Sequence, residues 1–371
     1  MDRRQFFSIT GGLITLSGTG IYLLSDKTPY VRHVLQTFTA APLPLKTDEY
    51  KILYLSSLAP SGHNTQPWYI KYVEPYHWII CNDNTKWLPA VDPFQRETIL
   101  SIGAFTQTIE YAANSLGYTC EFSLLALTPQ DAEVMDVKLK KQTGTASFDE
   151  KKIKLRRTVR TGYQNEILKP NDVSYLLKDA NEYMYYLPNN SKQHLWLNEQ
   201  TIEANRKQSW REDAQKELAE WMRFSSKDAK KHQDGLTTAS MEIDGVAGWV
   251  LRNFYDERNV LSQKFREQGL NKVIQQVSSS AGWVIITSND ASVENLLDAG
   301  RRMQRLFLKI RERGIAIHPM TQILEEKPFN EQINSTLGIT DPVQFILRSG
   351  YVKNYPQPVS LRRPVEMILK I

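Results

Sequence analysis

Only two cysteines, Cys81 and Cys120, occur in the 371 residues. That scarcity excludes a disulfide framework and a cysteine-built zinc site, and leaves room for one bridge at most. The six histidines include no pair at H-x-x-x-H spacing, which removes the usual helix-borne metal site. G-x-S-x-G, the P-loop and G-x-G-x-x-G are all missing. Nucleophile-elbow hydrolysis, NTP hydrolysis and a classical dinucleotide fold therefore lack their entry motifs. Neither sign of charge dominates: 46 Lys+Arg stand against 41 Asp+Glu, a net +5. Such a balance does not demand nucleic acid, though it suits anionic phosphates. The apolar run Gly11 to Leu24 is diluted by Gly, Ser and Thr. It falls short of the roughly 20 apolar residues that a stable membrane helix needs.

What is plentiful is length and aromatic surface. The chain can bury a large core and has room for roughly two or three domain-sized units. Its 17 Tyr, 13 Phe and 8 Trp are enough to wall an apolar pocket. At the N-terminus, Asp2-Arg3-Arg4-Gln5-Phe6-Phe7 precedes the weak hydrophobic stretch. Adjacent arginines followed by Phe and such a stretch resemble a twin-arginine export signal. That resemblance implies passage through the twin-arginine export machinery in a folded, cofactor-loaded state. The expected location is exported: periplasmic, or anchored in the membrane facing the periplasm. Thr39-Ala40-Ala41 offers small residues for cleavage, and an uncleaved anchor is the alternative. Residues 1–40 are set aside as this segment.

Beyond the Pro-rich Ala41-Pro42-Leu43-Pro44, a helix is expected over Thr47 to Leu58, with Tyr50, Leu53, Tyr54 and Leu58 on one face. Trp68 to Val73 and Trp78 to Cys81 read as a strand pair, and Thr119 to Ala126 as a third strand. A long helix from about Arg96 to Leu116 lies between them, stopped by Gly117. Gly103, Gln107 and Gly117 reappear as Gly300, Gln304 and Gly314, each 197 residues later. Both stretches are amphipathic helices that end in glycine before an extended segment. Gly282 to Thr287 and Phe345 to Tyr351 frame the later copy as buried strands. The charged stretch Asn198 to about Gln276 reads as a helical insert, either a lid over a pocket or a solvated layer.

Two stretches carry chemistry. In Leu58-Ala59-Pro60-Ser61-Gly62-His63-Asn64-Thr65-Gln66-Pro67-Trp68, proline and glycine leave backbone groups unpaired. Ser61, Asn64 and Gln66 add donors and acceptors that can meet the polar edge of a flat heterocycle. The alternative is a helix-ending turn that tucks Trp68 into a core. In Leu155-Arg156-Arg157-Thr158-Val159-Arg160, guanidinium forks and a hydroxyl suit a phosphomonoester. The alternative is a solvated basic helix start beside Lys151, Lys152 and Lys154. Asp92 and Arg96-Glu97 read as cap and ion-pair residues, and His63 as a loop hydrogen-bonder.

The first stretch resembles the A-P-S-x-x-N-x-Q-P-W segment of the nitroreductase superfamily of FMN flavoproteins. The second resembles that family's R-R-S-x-R motif, and the two long helices its G-x-x-x-Q central helix. The resemblance implies an α+β nitroreductase-like fold, in two halves fused as a pseudo-dimer, of the exported branch called Acg-type. The halves would be 41–150 and 151–371, the second carrying the insert at about 198–276. It further implies bound FMN, held by Pro60, Ser61, Asn64 and Gln66 and by Arg156, Arg157, Thr158 and Arg160. Arg362 and Arg363 match the family's second phosphate contact. Because one motif lies in each half, the expectation is one FMN per chain, in a monomer.

No catalytic side chain is implied, since the chemistry is borne by the flavin. The expected activity is two-electron transfer through flavin N5 from a small-molecule donor to a nitroaromatic- or quinone-like acceptor. A flavin-sequestering protein with a lidded ring is the alternative. A nucleic-acid binder using Lys151 to Arg160 is disfavoured, because no aromatics interleave that patch.

Overall fold

The apolar run Gly282–Thr287 needs cover on both faces, and the way the chain supplies it sets the architecture. The computed structural model describes residues 25–35, 37–38, 42–142, 144, 147–178 and 182–371. The twin-arginine segment through Leu24, and Thr39-Ala40-Ala41, lie outside the described residues.

Helix α1 (Thr47–Ser56), strands β1 (Trp68–Glu74) and β2 (His77–Asn82), and helix α2 (Arg96–Ser115) come first. Strands β3 (Tyr118–Leu124) and β4 (Glu133–Lys141) and helices α3 (Glu150–Leu155) and α4 (Pro170–Leu177) follow. Strand β5 (Met184–Pro188) leads into α5 (Lys192–Trp210), α6 (Glu212–Trp221), β6 (Met222–Arg223), α7 (Ser226–His232) and β7 (Leu236–Thr237). Helices α8 (Gly245–Phe254), α9 (Glu257–Val260) and α10 (Gln263–Val277) complete the helical region. The chain then runs through β8 (Gly282–Thr287), α11 (Val293–Ile310), β9 (Ile315–Pro319), α12 (Gln322–Glu325) and α13 (Phe329–Leu337). It ends with β10 (Val343–Tyr351), α14 (Val365–Ile368) and β11 (Leu369–Lys370).

One sheet has the order β11-β1-β2-β4-β3 and a second the order β5-β8-β10-β9. Strand β8 divides its side chains between two cores. Val284 and Ile286 join a core that also holds Leu100, Phe105, Leu306 and Phe307 of α2 and α11. Trp283 and Ile285 join another with Leu197 and Ala204 of α5 and Ile333 of α13. This period of two is what a central strand with both faces covered requires. The expected strands and long helices form within a few residues of their expected ends. Strand β4 was not expected: its lysines face solvent, and only Val134, Met135, Val137 and Leu139 are buried. Cys81 and Cys120 sit on β2 and β3 and are both free, so no bridge forms between them.

The repeat at 197 residues has a physical cause at the α2–α11 crossing. A Cβ on Gly103 would lie 2.9 Å from both Cα and the carbonyl carbon of Leu297, and closer still to its oxygen. A Cβ on Gly300 would lie 2.8 Å from the carbonyl carbon of Leu100, again closer to the oxygen. Leu100 and Leu297 are themselves 197 residues apart, so each glycine admits the same turn of the other helix. The polar pairs repeat the relation. Gln304 donates to Thr108 Oγ1 (3.0 Å) and Arg305 donates to Gln107 Oε1 (2.8 Å). Gly117 and Gly314 both take left-handed backbone after their helices, at φ +76° and +66°.

The C-terminus returns to the first sheet, where Leu369 pairs in parallel with Ile70 of β1. That return lays Leu361-Arg362-Arg363 against the loop that follows α1.

Candidate functional site

The loop after α1 carries local strain. His63, Asn64 and Gln66 all have positive φ (44°, 56° and 55°), a region that side chains disfavour. Hydrogen bonds hold Asn64 and Gln66 there, whereas His63, expected as a loop hydrogen-bonder, keeps its Nδ1 buried without a partner. Asn64 Nδ2 donates to the carbonyls of Gly235 and Leu361 (both 3.1 Å), and its Oδ1 accepts from Arg362 (2.6 Å). Gln66 Oε1 accepts from the Arg363 backbone (2.8 Å), its Nε2 donates to Gln233 O (3.1 Å), and Ser61 Oγ accepts from its backbone N–H (2.9 Å). Trp68 is fully buried and stacks on Phe105 with ring centroids 4.6 Å apart.

So braced, the loop forms one wall of a cleft of about 260 Å³. Pro60, Ser61, His63, Thr158 and Arg160 line it together with Glu97, His318, Thr321 and Glu325. Gln208 and Leu236 of the helical region also reach the cleft. Four of the sequence-predicted residues, Pro60, Ser61, Thr158 and Arg160, are thus brought together. Asn64, Gln66, Arg157 and Arg363 were expected at the cofactor and do not line this cleft. Their polar groups are engaged inside the protein, except that Arg363 Nε is buried without a partner. Arg157 pairs with Glu242 at 3.0 Å, and Arg363 with Asp83 at 3.3 Å and with the carbonyl of Trp68 at 2.7 Å.

Arg156 and Arg362 do not line the cleft either, and they share one acceptor. Arg156 Nε and Nη2 donate to Leu58 O (3.3 and 3.1 Å), and Arg362 Nη2 reaches the same oxygen at 3.3 Å. Arg32, which sequence reasoning missed, donates to Lys154 O beside them. Each keeps a buried donor with no partner: Arg32 Nε, Arg156 Nη1 and Arg362 Nε. Burial, with Arg32 adding like charge, pulls Arg156 down to about 9. Burial likewise takes Arg32 to about 10, and it drives Arg362 well below the guanidinium range with Arg156 and Arg32 contributing. Three neighbouring buried cations, two of them sharing the Leu58 carbonyl, with spare donors and no carboxylate pressing on them, fit a small multivalent anion.

Two further features of the cleft had no sequence signal. Arg160 Nη1 lies 2.6 Å from His318 Nε2. A guanidinium can only donate, so Nε2 is the acceptor and the proton sits on Nδ1, which is buried and unpartnered. Burial, with Arg160 and Arg348 nearby, holds His318 well below its usual pKa. The other feature is a carboxyl pair. Thr321 Oγ1 lies 2.9 Å from Glu97 Oε1 and 3.1 Å from Glu325 Oε1. One hydroxyl proton cannot serve two carboxylates, so one carboxyl must itself donate. Arg96 pairs with Glu97 at 3.1 Å, which leaves the proton on Glu325. Burial and the Glu97 charge accordingly raise Glu325 well above the carboxylate range. Asp92 caps the start of α2, accepting from Thr98 N at 3.0 Å.

The PigM protein of a Serratia species, named a probable NAD(P)H nitroreductase, is 21% identical over 322 residues, covering 80% of this chain and 86% of its own. Two solved structures also match: a nitroreductase-like family protein from Bacillus cereus, and the FMN-dependent nitroreductase NfnB from Mycobacterium smegmatis in complex with NADPH. The first is 14% identical, over 62% of this chain and 98% of its own, with a TM-score of 0.33. The second is 14% identical, over 60% and 96%, with a TM-score of 0.37. Both scores are too low to carry an argument about fold. The model of the nitroreductase family, however, matches residues 153–351, more than half of the sequence, and on that match the chain belongs to the nitroreductase family.

Proposed function

We propose that this nitroreductase-family oxidoreductase binds one FMN per chain and passes two electrons to a quinone- or nitroaromatic-like acceptor. The observation that carries the reading is the arginine cluster. Arg32, Arg156 and Arg362 hold three unpartnered buried donors in a cation-only setting, which suits the phosphate of FMN. Thr158 follows Arg156 by two residues and lines the cleft with Arg160, as a ribityl chain and a ring beyond it would need. Bound flavin would supply hydride transfer at its N5.

The protein's own part is positioning and charge. Arg160, fixed by Ser240 O (3.1 Å) and His318, offers a cation to an electron-rich ring edge. Ser61 and Pro60 line the cleft with it. Glu325 Oε1 holds a proton beside the cleft, the second requirement of a two-electron reduction after the hydride. The crossing of α2 and α11 supports a further reading, two fused nitroreductase-like halves with motifs shared into one site. Paired glycines admitting equivalent backbone are the signature of a two-fold contact. The segment around Arg3-Arg4 remains a proposed export signal, for cell fractionation to test.

Gln208 and Leu236 at the cleft, with Gly235 N donating to Asn64 O at 3.1 Å, favour a second reading in which the helical region covers the ring. Reduction separates the two: an enzyme's flavin is bleached by a nicotinamide donor, a sequestered one by dithionite alone. For the cofactor itself, Arg156→Ala should weaken FMN by about 1.5–3 kcal/mol, one charge-assisted contact. Retention of wild-type affinity in a titration would remove the arginine cluster from the account.

A further inference from the structure

Helices α6, α8 and α10 border a solvent-open chamber of about 800 Å³, three times the size of the cleft. Leu218, Met222, Val250, Leu251, Phe265 and Val273 give it an apolar wall. Its polar residues include the exposed Asp244, Lys264 and Gln268, and two less exposed ones are engaged elsewhere. Glu242 pairs with Arg157 at 3.0 Å, and Lys272 Nζ donates to Met241 O at 2.7 Å. The apolar wall offers water few partners, and its size and lining are those of a site for an apolar molecule. Arg160 and Leu236 line both this chamber and the cleft, so the two spaces meet across these side chains.

We infer that the chamber receives the hydrocarbon chain of an amphipathic electron acceptor, a quinone with an apolar tail, whose ring enters the cleft past Arg160 and Leu236. The inference rests on the cleft being the redox site. A quinone is matched to both spaces: its carbonyl oxygens accept from a guanidinium, and its tail gains by leaving water. Reduction to the quinol takes two electrons: the donor supplies them with one proton as a hydride, and one further proton completes the product.

Gly269 gives a clean test. It lies on α10 at the chamber, is exposed, and an added Cβ there would meet no atom within 4 Å. Gly269→Trp should therefore fill the chamber without disturbing the core, and Gly269→Ala serves as the control. Ala247→Trp on α8 is an independent plug from another wall. The probes are 2,3-dimethoxy-5-methyl-1,4-benzoquinone and its 6-decyl derivative, titrated calorimetrically into the full chain of measured flavin content.

Wild type and Gly269→Ala should bind the decyl compound roughly tenfold tighter or more, the gain from burying as few as two methylenes. The two plugged variants should bind both compounds alike. Equal binding of the two probes by wild type, or a preference for the tail that survives both plugs, overturns the chamber. A tail preference lost on plugging, in a preparation that holds no flavin and binds none, keeps the chamber and sinks the redox reading instead.

Discussion

Arg156→Met should stabilise the flavin-free protein. The native guanidinium is buried beside Arg32 and Arg362 with one donor unpartnered, and burial pulls its pKa from the ordinary guanidinium range down to about 9. At about 1.36 kcal/mol per pH unit, that fall corresponds to about 5 kcal/mol held against the charged form throughout the range below pH ~9. Methionine removes this charge and fills the space with an apolar stem. Leu58 O keeps Arg362 as a donor, so little is left unpaired. Buried ions replaced by apolar side chains commonly return about 1–4 kcal/mol, and a gain in that range is expected here. Ligand should reverse the order. Wild type at FMN concentrations of 100 times its Kd gains about 2.7 kcal/mol, and the variant, having lost a phosphate contact, gains much less. Urea unfolding at pH 7, with and without FMN, and with inorganic phosphate as a second ligand, measures all these differences. A flavin-free variant less stable than flavin-free wild type would refute the reasoning, as would equal stabilisation of both by FMN.

Gly300→Ala and Gly103→Ala force α2 and α11 apart and should each cost about 1–3 kcal/mol or more in denaturant unfolding. An unchanged midpoint would show that the crossing is loose. His318 is held neutral in the fold, so the unfolded chain alone takes up its proton below pH ~6.5. Stability should then fall with acidification by up to ~1.4 kcal/mol per pH unit more in wild type than in His318→Gln. Parallel pH profiles for the two would contradict the burial argument. Glu325→Gln retains hydrogen bonding and loses the transferable proton. Acceptor reduction should drop roughly 100-fold while dithionite still bleaches the flavin.

How far the sequence carries this account depends on the kind of signal. The Pro60 loop and the arginine run were legible because their residue types are unusual together, and both end at one cleft. Asn64 and Gln66 were read from that loop as cofactor-binding residues. Their amides, however, hold left-handed backbone in place, which residue type alone cannot reveal. Arg32 was missed because it lies in a stretch set aside as part of the export segment, and only tertiary packing brings it to Arg156. Glu325 and His318 come from beyond α11 with no local motif, and their roles follow from single hydrogen bonds. Gly103 and Gly300 were visible as a repeat, though its cause, close helix contact, needed the structure.

The most direct test of the central claim is the flavin content of protein purified from its natural host, released by heat and quantified against chain concentration. The account predicts one FMN per chain, with yellow absorbance that Arg156→Ala largely removes. Colourless protein that takes up no FMN on reconstitution, or a stoichiometry of two, would contradict it.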